Sequence, residues 1–336
     1  TDEDIRKQGI REIGDIVRYT PGVNTSHGEG HRDAVVFRGV RSTADFFQDG
    51  ARDDVQYYRS LYNVEQVEVL RGPNALLFGR GGTGGIINRV TKKATIGESF
   101  GSFDLGADDF GSTDLAIDYN VQSGENSAFR LNAHVDALEN HRDFYDGDRT
   151  GFNPTLRVEI SENTTLDLSY EYADHERMID RGIPTANGKP VEALKDIVFG
   201  TSDINIQTLE ADIFKGSLTT DISDTSKAVF SLTSSEFEKM YQNLYASGYD
   251  LATNVVTLDG YRDPTERENL IISGNFINEI QVGSSTHTLL IGAEKVDTDN
   301  KNLRYDTYWT TTEKDKESFN VSRPLNICLL YTSDAA

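Results

Sequence analysis

The chain is poor in several residue types, and each shortage excludes a class of protein. It has a single cysteine, Cys328, so neither an internal disulfide nor a cysteine metal cluster can form. Its 33 Lys and Arg face 55 Asp and Glu, for a net charge of −22. Such a surface repels phosphates, so we predict no nucleic-acid partner. No apolar run approaches the roughly 18 residues of a membrane helix, although alternating membrane strands would escape this test.

The two ends of the chain differ from the rest. The sequence opens at Thr1 on a helical pattern, without a signal peptide. The tail 326–336, "NICLLYTSDAA", does not continue the residue pattern of the preceding sequence. We therefore expect a fragment that lacks both ends and carries a tail that is not native.

Residues 1–95 have the pattern of a small α/β unit. Apolar residues recur at roughly helical spacing over 4–19, and Pro21 with Gly22 then favours a turn. Short β-like segments follow at 34–40 and 64–70. This part of the chain is thus predicted to hold one helix and several short strands.

Beyond residue 98 the pattern changes to strict alternation of apolar and polar residues. In "TDLAIDYNV", for example, Leu115, Ile117 and Tyr119 alternate with acidic and small residues. Period-two alternation is typical of strands with one apolar face. Such strands are predicted at 99–107, 113–121, 129–137, 152–160, 166–172, 207–220, 226–238, 268–281 and 287–297.

The connections between these strands alternate in length. Short polar turns are predicted at 122–126, 161–163, 221–225 and 282–286, with longer links at 139–151, 175–206, 239–267 and 298–317. Short turns on one side and long loops on the other are typical of an outer-membrane β-barrel. A soluble β-sandwich fits the alternation of residues equally well but gives no reason to segregate the long links.

A glycine-rich stretch, "VEQVEVLRGPNALLFGRGGTGGIINRVTKK" (64–93), joins the two parts. Gly79, Gly81 and Gly84 match the dinucleotide motif G-x-G-x-x-G, which requires a helix after the glycines. Here "IINRV" follows, and its β-branched residues favour a strand. We therefore expect these glycines to allow tight turns and close backbone packing instead of phosphate binding.

This stretch and several others resemble one family. The pieces are "TPGV" (20–23), "FRGV" (37–40), "DGARD" (49–53), "VEVLRGP" (67–73), "LFGRGGTGGIINRVTKK" (77–93) and "HTLLIGAE" (287–294). Together they resemble the TonB-dependent outer-membrane siderophore receptors, closest in pattern to the catecholate type. The resemblance implies an α+β plug domain (1–95) followed by antiparallel strands of a transmembrane β-barrel (96–325). About nine or ten strands of a barrel of about 22 would be present.

The resemblance also implies function and partners. Such a receptor sits in the outer membrane of a Gram-negative bacterium, contacts its lipid, and imports a ferric siderophore with energy from TonB. It is not an enzyme and has no cofactor, since the iron arrives inside the ligand; the TonB-contacting segment would precede Thr1. A receptor for cobalamin, a carbohydrate or another metal chelate is the alternative, and a soluble β-rich protein is a further one.

Candidate ligand-binding residues follow from positions in these motifs and from side-chain chemistry. Arginine offers charge-assisted hydrogen bonds to an anionic chelate, and tyrosine offers a stacking face and a hydroxyl. The candidates at plug apices are Arg41, Tyr57, Tyr58 and Arg59, and those in the long links are Tyr241, Tyr245, Tyr308 and Trp309. Sealing of the plug against the wall is the alternative for the plug residues, and an aromatic girdle is the alternative for the link residues.

Two further groups of charged residues have structural interpretations. Arg38, Glu65, Glu68, Arg71 and Arg80 lie in the family-like motifs, and we expect them to form plug–barrel ion pairs. Glu29 lies between His27 and His31 in "HGEGH", but a glycine-rich loop frames a metal poorly, so no metal site is predicted there.

Overall fold

The computed structural model describes residues 1–42, 45–72, 78 and 84–322. The chain begins with helices α1 (Asp2–Lys7) and α2 (Ile13–Arg18), and short 3-10 helices lie at His27–Gly30 and Glu192–Leu194. No helix in these ranges is long and apolar enough to cross a membrane. Arg80, Cys328 and the tail 326–336 lie outside the described residues.

The helix predicted over 4–19 is two short helices instead of one. Thr1 begins α1 with a capping box, in which its side chain and that of Asp4 each accept a hydrogen bond from the other's backbone. Gly9 then takes a left-handed conformation, with φ +60°, which cannot continue a right-handed helix. Glycine suits this position because residues with a Cβ rarely adopt that conformation. The chain therefore turns before α2.

The N-terminal module, α1 to β7, holds two small sheets. Its strands are β1 (Val23–Thr25), β2 (Val35–Phe37), β3 (Val40–Ser42), β4 (Phe46–Gln48), β5 (Ala51–Arg52), β6 (Val64–Arg71) and β7 (Gly85–Thr91). The first three form one sheet, and β5-β4-β7-β6 form the other. Apolar side chains from both helices and both sheets share one core: Ile5, Ile13, Val17, Val35, Phe37, Phe46, Leu61, Val64 and Ile87.

The described glycines of the glycine-rich stretch serve close packing. A Cβ at Gly84 would lie 2.6 Å from the Cβ of Phe37, and one at Gly85 would lie 2.6 Å from the carbonyl oxygen of Leu70. Strand β7 follows them and pairs with β4 and β6. Because a strand and not a helix follows, the segment offers no helix N-terminus to a phosphate.

Nine long antiparallel strands then form one sheet, called here the wall sheet. They are β8 (Phe100–Ala107), β9 (Thr113–Gly124), β10 (Ser127–Glu139), β11 (Asp146–Ser161), β12 (Thr164–Met178), β15 (Ile206–Ser223), β16 (Ser226–Asp250), β17 (Val255–Val282) and β18 (Ser285–Asn302), paired in chain order. A two-stranded ribbon, β13 (Thr185–Ala186) and β14 (Lys189–Pro190), lies in the link before β15. Short strands β19 (Tyr305–Asp306) and β20 (Glu317–Asn320) pair with β17. The nine predicted strands are confirmed.

The tight turns lie where the sequence placed them, but one predicted link is mostly strand. Two-residue turns at 125–126, 162–163, 224–225 and 283–284 define the hairpin end of the wall sheet. At the opposite end, the link end, β16 and β17 stay paired up to Asp250 and Val255, so the predicted link 239–267 shrinks to 251–254. Likewise β18 extends to Asn302. The strands extend because backbone pairing continues where the apolar alternation stops.

The wall sheet exposes its apolar face and buries its polar face, which is the opposite of a sheet in a soluble protein. One face exposes large apolar side chains: Phe103, Leu105, Leu115, Ile117, Phe129, Val135, Phe152, Phe214, Phe230 and Phe276. The other buries polar ones against the N-terminal module: Asp118, Asn120, Arg130, Asn132, His134, Arg149, Asn153, Glu171 and Gln207. Soluble proteins bury the apolar face. This arrangement suits a wall with lipid outside and a polar module inside.

Polar contacts join the module to the wall sheet. Gln48 donates to Glu171 at 2.6 Å, and Lys92 lies 3.1 Å from Asp118, which also accepts two bonds from Arg130 at 2.7 Å. Asp118 and Glu171 of the wall sheet are thus paired with polar side chains of the neighbouring N-terminal part of the chain. The predicted fold class, an α+β module followed by barrel strands, is confirmed.

Candidate ligand-binding site

The hairpin β16–β17 extends furthest at the link end and builds a polar, aromatic surface there. Lys239, Tyr241, Asn243 and Tyr245 recur at every second position of β16, so their side chains share the face toward the N-terminal module. Tyr261 lies opposite Asn243 on β17, and its hydroxyl hydrogen-bonds that of Tyr241. Strand alternation thus collects three tyrosines in one place.

Arg181 lies over this surface from the link between β12 and β15. Its guanidinium carbon is 3.7 Å from the centre of the Tyr245 ring, and its Nη1 donates to Asn243 Oδ1 at 3.0 Å. A guanidinium stacked on an aromatic face gains a cation–π interaction and keeps its edge free to donate. The stacking therefore holds Arg181 in place with donors directed along the surface.

Arg304 repeats this arrangement on the neighbouring tyrosine. Its guanidinium carbon lies 4.0 Å from the centre of the Tyr261 ring, and its Nε and Nη2 donate to the two oxygens of Asp263 at 2.8 and 2.5 Å. Its side chain is more than half exposed. Two stacked arginines thus flank the tyrosines.

The apical loop of the N-terminal module, residues 27–32, completes the surface. The His31 ring stacks on the Tyr241 ring, with centroids 3.6 Å apart and planes 16° apart. Glu29 accepts from Arg32 at 2.8 Å and from the Tyr241 hydroxyl at 3.4 Å, and its other oxygen lies 3.6 Å from Arg181. These contacts dock the loop onto the wall sheet.

Charge states at this loop follow from burial and neighbouring charges. Burial lowers the pKa of His31 to about 4, and the nearby cations of Lys239 and Arg32 add to the effect, so the ring is neutral at pH 7. The adjacent His31 ring, 3.8 Å away, and the hydrogen bond from Arg32 hold the pKa of Glu29 well below its usual range, although burial opposes this. The loop thus brings one ionised carboxylate to a surface of arginines and tyrosines.

Such a surface can bind a flat, anionic ligand. Guanidinium groups donate charge-assisted hydrogen bonds to anionic oxygens, while tyrosines add stacking faces and hydroxyl donors. Within the described ranges, no three His, Cys, Asp or Glu side chains are placed to hold a metal ion. The geometry therefore fits a ligand that carries its own charge and aromatic rings.

Two of the predicted ligand residues, Tyr241 and Tyr245, lie in this site, though on a strand and not in a loop. The other two link residues lie elsewhere. Trp309 is buried in an apolar cluster with Leu194, Leu244 and Leu258, and Tyr308 is half exposed beside it in the chain. Trp309 thus packs in this apolar cluster, and its ligand role stays a prediction.

The structure places Arg59, a predicted ligand residue, inside the module. The side chain is fully buried, and it donates to Asp53 at 2.8 Å and to the carbonyl oxygens of Asp53, Val55 and Tyr57. Arg89 also donates to Asp53, at 2.9 Å. With these partners Arg59 lies in the interior of the module, and its ligand role stays a prediction.

Tyr57 and Tyr58 are buried between the module and the wall sheet. Tyr57 packs against Phe237 with ring centroids 5.9 Å apart, and the guanidinium of Arg177 lies 4.3 Å from the centre of the Tyr58 ring. Both therefore seal the module against the wall, as the alternative interpretation expected. Arg41 is exposed on β3, and its ligand role stays a prediction.

The predicted plug–barrel ion pairs are made by other residues. Glu68 accepts from Gln66 and Asn88, and Arg71 donates to the carbonyl of Pro21, all within the module. In the described ranges, no ion pair to the wall sheet involves Arg38, Glu65, Glu68 or Arg71. The described pairs that do cross are Arg6–Asp104, Arg11–Asp114, Glu12–Arg149, Glu12–Arg177, Glu29–Arg181, Asp49–Lys215, Asp54–Arg267, Lys92–Asp118 and Lys93–Asp167.

The sequence reasoning did not assign several site residues to ligand binding: Glu29, His31, Arg32, Arg181, Lys239, Asn243 and Arg304. One local signal was available, because Phe237, Tyr241 and Tyr245 of "FEKMYQNLY" would share one face of a strand, although the apolar alternation itself stops there. Arg181 and Arg304 carried no such signal. Their positions depend on how the links fold back over the hairpin.

Comparison with known proteins places these features in a family context. Residues 1–86 match the family model of the TonB-dependent receptor plug domain. The chain is 35% identical over 185 residues to the probable TonB-dependent receptor BfrD of Bordetella pertussis, covering 54% of this chain and 25% of that protein. It is 28% identical over 245 residues to the probable TonB-dependent siderophore receptor PiuA of Acinetobacter baumannii, covering 68% and 33%.

Solved structures agree on the fold. The crystal structure of the ferric-catecholate import receptor Fiu from Escherichia coli K12 superposes with a TM-score of 0.80 at 22% identity, over 90% of this chain and 49% of that one. The chain therefore spans a quarter to a half of the proteins it resembles.

Proposed function

We propose that this chain is part of a TonB-dependent outer-membrane receptor, and that the whole receptor binds a ferric siderophore from outside the cell and imports it. The N-terminal module is the plug, and the wall sheet is part of the barrel in the outer membrane of a Gram-negative bacterium. Import uses energy delivered by TonB. The protein is a receptor and not an enzyme.

One observation supports an anionic ferric siderophore as the substrate. At the link end, on the face that lines the barrel interior, Arg181 and Arg304 stack on Tyr245 and Tyr261 beside the apical loop of the plug. Ferric catecholates are anionic and have flat rings, which suits both the guanidinium groups and the aromatic faces. The names of PiuA and Fiu, a siderophore receptor and a ferric-catecholate receptor, support the same class.

The first test is growth and uptake. A strain that lacks the full-length gene should lose growth on ferric catecholates under iron limitation, and the gene on a plasmid should restore it. Unchanged uptake of every ferric chelate in the deletion strain contradicts the substrate class. A defect confined to cobalamin or a carbohydrate assigns the receptor to one of those alternatives.

The second test addresses the site itself. In the purified full-length receptor, Arg181→Gln should raise the Kd for iron(III) tris(2,3-dihydroxybenzoate) about ten- to a hundredfold, since a hydrogen bond to a charged group contributes roughly 1.5–3 kcal/mol. Arg157→Gln is the matched control, because Arg157 bonds Asp167 at 2.7 Å far from this site. Equal affinities of the two variants would exclude Arg181 from the ligand site.

A further inference from the structure

Glu29 has a position that no other carboxylate of the site shares. Asp263 pairs with Arg304, while Asp259 accepts from Tyr245 at 3.0 Å, and both belong to the wall sheet. Glu29 comes from the plug and reaches across to Arg181 and Tyr241. It thus occupies the donors that an anionic ligand would seek.

Its contacts to the wall are looser than its contact within the plug. Glu29 lies 2.8 Å from Arg32 of its own loop, but 3.6 Å from Arg181 and 3.4 Å from the Tyr241 hydroxyl. Its side chain is about a third exposed. A partly exposed ion pair of this length contributes little stability, so a ligand oxygen can replace it.

The backbone of the loop is held in an unfavourable conformation. Glu29 has φ +64°, a left-handed conformation that few residues with a Cβ adopt because it is strained. The next residue, Gly30, is so close to the wall that a Cβ there would lie 2.9 Å from the Asp180 carbonyl oxygen. Docking contacts maintain this strain, and their loss would release it.

We propose that Glu29 is a built-in counter-ion that the acidic oxygens of the ligand replace, which frees the apical loop of the plug from the wall. The inference rests on the proposed function and deepens it. It makes Glu29 a specificity-determining residue, because only a ligand with anionic oxygens can compete for Arg181 and Tyr241. Binding and undocking of the loop then become one event.

Glu29→Gln in the full-length receptor tests this. The amide keeps the shape of the side chain but removes the competing charge. Affinity for iron(III) tris(2,3-dihydroxybenzoate) should rise about threefold to tenfold, and affinity for a neutral ferric trihydroxamate should stay within about twofold. A purely structural role would predict weaker binding of both chelates.

Glu12→Gln is the matched control. Glu12 is also a plug carboxylate about a third exposed, and it contacts two wall arginines, Arg149 at 3.4 Å and Arg177 at 3.5 Å, outside the ligand site. Its replacement should leave the affinity for both chelates unchanged. Equal effects of the two substitutions would mean that any loosening of the plug raises affinity, which overturns the specific role of Glu29.

Amide hydrogen exchange supplies a second readout. Exchange at 27–32 should accelerate when the anionic chelate binds the wild-type receptor and should already be fast in Glu29→Gln. Slower exchange on binding, or unchanged or weaker affinity of the variant, overturns the inference while the proposed function stands. If the wild-type receptor binds neither chelate, the proposed function fails and the role of Glu29 fails with it.

Discussion

Replacing Asp53 tests how the plug holds its buried charges. Asp53 accepts from Arg59 at 2.8 Å, from Arg89 at 2.9 Å and from the Tyr57 hydroxyl at 3.0 Å, and it is buried with both arginines. Burial raises the pKa of Asp53, but the two guanidinium groups outweigh it and hold the pKa below its usual value. The carboxylate is therefore ionised between two buried cations.

Asp53→Asn keeps the shape and removes the charge. Asp33, which lies 3.5 Å from Arg59 and whose pKa burial raises to about 6, is then the ion-pair partner left to Arg59, and Arg89 keeps no direct ion pair in the described ranges. Breaking a buried ion pair from one side costs about 3–5 kcal/mol. At about 1.36 kcal/mol per decade, the plug should open locally roughly two to four decades more often.

The neighbouring residue is the control. Asp54 pairs with Arg267 of the wall at 2.8 Å, with both side chains between a fifth and a quarter exposed, so Asp54→Asn should cost no more than about 1 kcal/mol. Amide exchange in β7 of the full-length receptor in detergent reports the opening. Equal protection of β7 in the two variants would refute the reasoning.

A double variant keeps the test informative if Asp53→Asn alone folds poorly. Arg89→Gln added to Asp53→Asn leaves Arg59 opposite Asp33 and restores the balance of charge in the cluster. At least half of the lost protection should return, because the uncompensated charge is what costs most. A double variant worse than Asp53→Asn would mean that hydrogen bonding and not charge dominates.

Three shorter predictions follow. Gly151→Ala places a Cβ 2.9 Å from Nε2 of His134 and 3.0 Å from the hydroxyl of Tyr62, so calorimetry should show a loss of about 1–3 kcal/mol in the free energy of unfolding. Gly274→Ala is the control, because its Cβ meets nothing within 4 Å and should leave the stability unchanged. Histidine hydrogen exchange followed by mass spectrometry should give His31 a pKa of about 4, and a value near 6.5 would contradict the burial of the ring. The unfolded ring titrates near 6.5. The contribution of neutral His31 to the stability of the fold is therefore complete above that pH and is lost as the pH falls towards 4. Ile117→Arg, on the apolar outer face, should cost about 2–4 kcal/mol on folding into lipid vesicles, and no cost would place that face away from lipid.

The wall sheet and its tight turns were predictable because their signal is local. Alternating residues such as Leu115, Ile117 and Tyr119 define both the strand and its faces over a few positions. The extension of β16 and β17 was not predicted from the sequence, because its residues are polar on one face and mixed on the other. A segment without apolar alternation is predicted to be a loop. Backbone pairing does not require the apolar alternation that a sequence reveals.

The sequence alone determined that a glycine-rich α/β module precedes a series of two-faced strands, since spacing along one segment suffices for each. Only the tertiary structure decided which face is covered, and it placed Arg59, Tyr57 and Tyr58 among the buried residues. It also brought Glu29, Arg181, Tyr241 and Arg304 into one site, although the first and last of them are 275 positions apart in the sequence. Contacts between residues so distant depend on the path of the whole chain, which no local pattern records.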